Sequence, residues 1–320
     1  MSAPTTTPPP SATASPPRAV QQAGDRIFAA SARGAGILIL LVLAGVAAFL
    51  VIQAIPAFVA SPADLPGGQN IAVYVAPFVF GTVISSVIAL IIATPLAIAV
   101  ALFITHYAPR RLAQGLGYLI DLLAAVPSLV FGLWGFAVLS PATLGLSMWL
   151  NTYLGWIPLF AGPVSVTGRT MFVVGITLAV MILPIITAVS REVFLQTPKL
   201  HEEAALALGA TRWEMIRMAV LPFGRSGIIS GAMLGLGRAL GETMAVAIIL
   251  SGSGIITFNL ISSGNPSSIA ANIALNFPDS TGLAVNTLIA SGLVLFVITL
   301  LVNSLARYII NRRSEFSGAN

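Results

Sequence analysis

The sequence predicts an all-α, polytopic membrane protein with six transmembrane helices. Three observations carry that prediction. The chain is 57% hydrophobic and 8% charged, against roughly 25% charged in soluble domains, and its mean hydropathy is +0.97. So few polar groups cannot cover a water-facing surface. Six apolar runs, each near or above the roughly 20 residues that cross a bilayer, alternate with polar or Pro- and Gly-rich segments. The 15 Lys and Arg residues gather beside the ends of those runs, mostly on one side.

Residues 1–24 are rich in Pro, Thr, Ser and Ala. Such a composition cannot bury a core, so a disordered cytoplasmic segment is expected. It lacks the basic start and apolar middle of a cleavable signal peptide. The first span is expected over Gly36–Phe58, followed by a loop at 59–72 with Pro62, Pro66, Gly67 and Gly68. The second, Pro77–Thr105, is long enough to tilt and carries Pro95. After the turn HYAPRR comes a third span, Leu116–Leu139, with Asp121 near its start and Pro127 inside.

Residues 140–168 form a longer loop whose Trp149, Tyr153 and Trp156 suit a membrane interface, as a short helix lying along it. The fourth span is Met171–Val189, the fifth Phe223–Leu250 and the sixth Gly282–Leu305. A Gly-, Ser- and Asn-rich loop at 251–281 separates the last two, and a basic tail closes the chain. The expected division is a permease domain over 25–313, containing a cytoplasmic loop at 190–222, and a cytoplasmic tail at 314–320.

Placing the N-terminus in the cytoplasm puts 13 basic residues inside, Arg169 alone outside and Arg238 within a span. That asymmetry orients the chain, with both termini cytoplasmic. The net charge of +5 follows from topology rather than from a basic face, which excludes a nucleic-acid partner. The absence of cysteine excludes disulfides and Cys-bound metals. His106 and His201 lack metal-ligand companions; the first reads as an interfacial residue at a span end, the second as a solvated loop residue.

The charged residues inside apolar spans are the chemical signal. Arg238 and Glu242 lie near the middle of the fifth span, in GLGRALGETMAV. A charge at that depth costs at least a few kcal/mol. A spacing of four puts both on one helical face, about 6 Å apart, where they can pair. One interpretation is a structural ion pair. The other is that Arg238 offers its fork of donors to a crossing anion while Glu242 holds and neutralises it. Gly227, Gly231 and Gly235 continue the stripe at the same spacing, so another helix can approach closely. Weaker candidates for the pathway or its support are Asp121, Ser128 and Ser85. Asp121 reads as an interfacial carboxylate that pairs with a basic residue. Pro127-Ser128 would bend its span. Thr82, Ser85 and Ser86 either donate to an oxyanion or bond back to their own helix. Arg191 and Glu192 read as solvated.

The polar stretch 198–222, PKLHEEAALALGATRWEMIRMAVLP, reads as two short helices around a glycine elbow. Thr197 is the expected N-cap and Pro198 the first helical residue. Gly209 is suited to the left-handed end of the first helix. Thr211 and Glu214 make a capping box for the second, and Pro222 is expected to stop it.

This stretch resembles the EAA loop of ABC importer permeases: EAA, three residues, Gly, nine residues, Ile, one residue, Leu-Pro. Glu203, Ala204, Ala205, Gly209, Leu221 and Pro222 meet the pattern, and Ala219 stands where the family prefers Ile. The resemblance implies an ABC importer (type I) permease fold and a loop that lies in a groove of a cytoplasmic ATPase. GLGRALGETMAV and DLLAAVPSLVFGLWG (121–135) also resemble phosphate-specific ABC importer permeases of the PstC type. That likeness implies a non-catalytic subunit in a bacterial cytoplasmic (inner) membrane. It also implies a second, PstA-like permease, two PstB-like ATPase subunits and an extracytoplasmic, PstS-like phosphate-binding protein. No GxxxxGK[ST] phosphate loop is present, so no cofactor is expected on this chain, and ATP and Mg would be handled by the ATPase partners. The alternatives are a permease for another oxyanion or a phosphonate, or an ion-coupled secondary carrier with Glu242 as its proton site.

Overall fold

The computed structural model describes residues 23–314. The expected N-terminal segment lies outside the described residues but for 23 and 24, and the expected tail but for Ser314. The chain divides into two units, residues 1–49 and 50–320. The described part of the first is the N-terminal portion of α1 (Ala23–Val59). Its large apolar side chains, Ile37 to Leu43 among them, are exposed, the pattern of a helix whose solvent is hydrocarbon.

The second unit is helical. After the end of α1 come α2 (Ile71–Leu102), α3 (Arg110–Ala124), α4 (Ser128–Trp134), the single turn α5 (Ser140–Ala142) and α6 (Leu144–Leu154). Next are α7 (Met171–Leu195), α8 (Lys199–Ala207), α9 (Arg212–Met215), α10 (Leu221–Leu240), α11 (Met244–Ile249), α12 (Ile269–Asn276) and α13 (Leu283–Ser314). Asn70, Thr170 and Ser268 accept backbone N–H groups and so start α2, α7 and α12.

α7 is the central helix, packed by α2, α10 and α3. Its Val173, Leu178, Met181, Ile182 and Ile186 are fully enclosed with Ala89, Ala93 and Ala97 of α2. Alanine on the facing helix brings the backbones close, which is how apolar helices gain contact when lipid is as apolar as leucine. A second cluster joins Ala54 and Ala57 of α1 to Ile71, Val75 and Ala290. A third, at the other end of α7, gathers Ala101, Leu102, Phe194, Met215, Ile216 and Val220.

Five helices are long and apolar enough to cross a membrane, and a sixth crossing exists if the pair α3 and α4 is taken as one. That pair corrects the expected third span. The chain turns by 93° between Arg110–Ala124 and Ser128–Ala142. Pro127 takes an extended backbone as the N-cap of α4, because it cannot continue the hydrogen-bond ladder of α3.

The fifth span is also broken. α10 ends at Leu240 and α11 begins at Met244. Gly235, Gly237 and Gly241 weaken the helix there, and the remaining bonds, Gly241 N–H to Gly237 at 3.4 Å and Glu242 N–H to Ala239 at 3.3 Å, are stretched. Two local expectations shift as well. Pro198, not Thr197, occupies the N-cap position of α8, and the Thr197 hydroxyl is buried without a partner. Pro222 does not stop the second helix of the loop. It sits in the first turn of α10, and the helix runs from Arg212 to Leu240. The preceding turn, Ile216–Val220, is a wide π turn in which Leu221 N–H reaches Ile216. That widening makes room for a ring that would otherwise strike a carbonyl.

Candidate functional site

Two regions draw together the residues that carry chemistry. One is the break between α10 and α11. Arg238 lies in the last turn of α10, half-buried, with no ion pair or hydrogen bond among the described residues. Glu242 is 7% exposed, and its Oε1 accepts the N–H of Ala245 at 3.0 Å. The expected pairing of Arg238 with Glu242 is therefore not made. Their spacing of four would align them on a continuous helix, but the helix ends between them. Each charge is instead matched by a helix end: the arginine by the carbonyl end of α10, the carboxylate by the N–H end of α11. The guanidinium keeps its donors for something else.

The break is held by its neighbours. Ser268 Oγ donates to the Glu242 carbonyl at 3.3 Å, and the next N–H, of Ile269, donates to Thr82 Oγ1 at 2.9 Å. Thr82, Ser85 and Ser86 are all buried and donate to carbonyls of their own helix. Gly81 makes the contact possible, since a Cβ there would strike the Ser267 carbonyl. Ser128 opens α4, which packs on α11; a Cβ on Gly132 would lie 2.8 Å from Ala245 Cα. Asp121 lies on the other limb of the bend, exposed and without an ion pair.

Arg169, expected alone on its side of the membrane, closes the far end of α11. Its Nε and one terminal nitrogen donate to the Ile249 and Ile248 carbonyls at 2.9 and 3.2 Å, and it stacks over Phe136 at 5.3 Å. Arg191 also departs from expectation. It is only partly solvated: its Nε is buried without a partner, and its guanidinium covers Gly117 of α3. The glycine stripe Gly227, Gly231 and Gly235 faces Val193, Val189 and Ile186 of α7, so close packing is its role.

The other region is the polar loop. Gly209 has φ +86° and turns α8 into α9, with nothing near it that a side chain would strike. Thr211 and Glu214 form the capping box, each side chain bonded to the other's N–H. Glu214 lies ahead of the apolar part of that helix. The Thr211 N–H and hydroxyl together hold its carboxyl below the ordinary range. Ala205 and Leu221 pack on the cluster of Phe194, Ile216 and Val220, which seats the hairpin on α2 and α7. Glu203 and Ala204 face outward beside Leu200, Leu206, Leu208 and Trp213, all exposed. His106 Nε2 lies 3.7 Å from Glu202, bringing the loop against the turn that follows α2.

Residues 93–315 match the family described as binding-protein-dependent transport system inner membrane component. The chain is 45% identical over 298 residues to the phosphate transport system permease protein PstC 2 of Mycobacterium tuberculosis, covering 89% of this chain and 91% of that protein. It is 40% identical over 309 residues to the phosphate transport system permease protein PstC of Mesorhizobium japonicum, covering 92% of each. A crystal structure of a bacterial ABC transporter involved in the import of the acidic polysaccharide alginate contains a chain with the same fold. It aligns at a TM-score of 0.51 and 17% identity over 90% of this chain and 99% of that one. The polar loop, the apolar helices and this match over most of the chain agree: the protein belongs to the family of binding-protein-dependent transport system inner membrane components.

Proposed function

We propose that the chain is one of two related permease subunits of an ATP-driven importer of inorganic phosphate in a bacterial cytoplasmic membrane. Both termini and the loop at 190–222 are on the cytoplasmic side in this scheme. The observation that carries the reading is the unpaired guanidinium of Arg238 and the buried carboxylate of Glu242 on either side of a break in an apolar helix. Broken helices at membrane depth are tolerated where they line a cavity or lie within protein, and their ends suit ions. The likeness to phosphate permeases along most of the chain supports the choice of anion.

An extracytoplasmic binding protein docks and releases phosphate into the path. Two ATPase subunits, which handle ATP and Mg, close on the nucleotide and move the loop through Glu203, Ala204, Ala205 and the hydrophobic residues exposed around them. The helices then alternate access. Arg238 compensates the passing anion with a bidentate fork, and the nearby carboxylate keeps that hold weak enough for release.

The test is ATP-dependent uptake of radiolabelled phosphate by vesicles holding the co-expressed complex and its binding protein. Loss in both Glu203→Lys and Arg238→Leu supports the scheme. Normal uptake by a correctly assembled Arg238→Leu complex removes that residue from the path. Transport of a different oxyanion by the parent complex corrects the cargo.

A further inference from the structure

Beyond α11, a cleft of about 500 Å³ opens between the start of α2, the 251–254 loop and α12. Tyr74, Ser251, Gly252, Ser267, Asn272 and Asn276 are among its lining residues, and no charged side chain lines it. Its donors are arranged in one direction. Asn276 Nδ2 donates to Asn272 Oδ1 at 2.9 Å, and Asn272 Nδ2 donates to the Tyr74 oxygen at 3.3 Å. The relay therefore ends on a phenol whose own proton is given to no group in the described chain. Ser267 is 3% exposed and its Oγ has no partner. Gly252, which lines the cleft with it, has φ +60°, and a Cβ there would lie 3.2 Å from Ser267 Cβ and 3.9 Å from its Oγ. The hydroxyl is enclosed, and the residue that stands over it carries no side chain.

The helix ends favour negative charge here. Ser267 lies just ahead of the N-terminus of α12. The carbonyl end of α11, which would repel an anion, is covered by the Arg169 guanidinium. The cleft thus combines an unspent phenol donor, an unspent buried hydroxyl and a helix start, with no carboxylate lining it.

We propose that this cleft is a second anion station, holding a tetrahedral oxyanion, inorganic phosphate, by neutral donors before it reaches Arg238. The proposal rests on the anion-permease reading above. Neutral donors recognise the oxygens without the attraction of a fixed cation, so the anion is held and passed on. The cleft and the charged break share a wall: Ser267 lines the cleft, and the adjacent Ser268 bonds to the Glu242 carbonyl.

The experiment is a titration of inorganic phosphate, followed by phosphorus-31 line broadening, on the whole complex in nanodiscs without the binding protein. The background is Arg238→Leu, so that the charged break does not contribute. Asn272→Asp keeps the shape but accepts the Tyr74 O–H hydrogen bond, so that donor is no longer free, and adds a negative charge; it weakens binding at least about tenfold. Tyr74→Phe weakens it about tenfold by removing one donor to a charged ligand. Ser267→Ala weakens it several-fold while the melting temperature holds or rises, because the hydroxyl has no partner to lose. A merely structural serine would not separate those two readouts. Unchanged broadening in all three variants overturns the proposal. So does loss of affinity for the binding protein with phosphate binding intact, which would make the cleft a docking surface. If the parent complex transports a different oxyanion, the cargo is wrong, and the same three variants titrated with that anion decide the station by the same criteria.

Discussion

Gly227 carries the sharpest test of the packing. A Cβ added there would sit 2.2 Å from Val193 Cγ2 and 2.8 Å from both Val193 Cβ and Cγ1. Ordinary contact begins at 3.4 Å, so Gly227→Ala is short of room by about 1.2 Å. Valine cannot rotate away, because three of its atoms crowd the point and its χ1 is stiff in a helix. Overpacking of this kind costs about 1–3 kcal/mol, while alanine regains about 0.5–1 kcal/mol over glycine in a helix. The net expectation is a destabilisation of about 1–2 kcal/mol. Gly115 of α3, with nothing within 4 Å, is the control, and Gly115→Ala should stabilise by about 0.5–1 kcal/mol. The assay is SDS-induced unfolding of the purified protein in mixed micelles, followed by far-UV circular dichroism. Adding Val193→Ala should relieve the clash, leaving a coupling energy of about 1–2 kcal/mol in the double-mutant cycle. If Gly227→Ala is as stable as Gly115→Ala, or if the two sites do not couple, α10 does not pack on α7 through this stripe.

Three further predictions follow the same logic. Glu242→Gln retains an oxygen that can accept the Ala245 N–H, whereas Glu242→Ala leaves that donor buried and unmet. The alanine variant should melt lower by the equivalent of about 1–3 kcal/mol, with the glutamine variant near the parent. Arg191→Met should be neutral or stabilising in a thermal melt, because it removes a buried unpartnered Nε and keeps the long stem over Gly117. Arg169→Met should destabilise by about 2 kcal/mol or more, since two charged hydrogen bonds to the end of α11 are lost. In that case Arg169→Lys should recover part of the difference in the same melt.

Much of the polar loop was legible because its determinants are local. A capping box needs only Thr211 and Glu214 three residues apart, and Gly209 at φ +86° is the conformation glycine is chosen for. The first, second, fourth and sixth apolar helices were legible for a similar reason: hydropathy acts on each segment separately. Pro127 and the run Gly235, Gly237, Gly241 were visible as breakers, but their consequences were not. Proline can bend a helix slightly or end it, and here it marks a 93° turn. Pro222 shows the reverse, since a wide turn ahead of it absorbs the ring and the helix continues.

By itself, then, the sequence determined an all-helical membrane protein, the position of the polar loop and the two charges set within an apolar run. Those follow from composition, periodicity and capping, which act over a few residues. Only the tertiary structure decided what the charges do. Arg238 and Glu242 align as a pair on an ideal helix. The contacts that hold the break open are long-range: Ser268, 26 residues on, bonds to the Glu242 carbonyl, and Thr82 accepts the Ile269 N–H from 187 residues away. Burial of Arg191 over Gly117 and the covering of α11 by Arg169 are likewise long-range packing events. A spacing rule cannot see them, because it assumes the helix whose interruption they maintain.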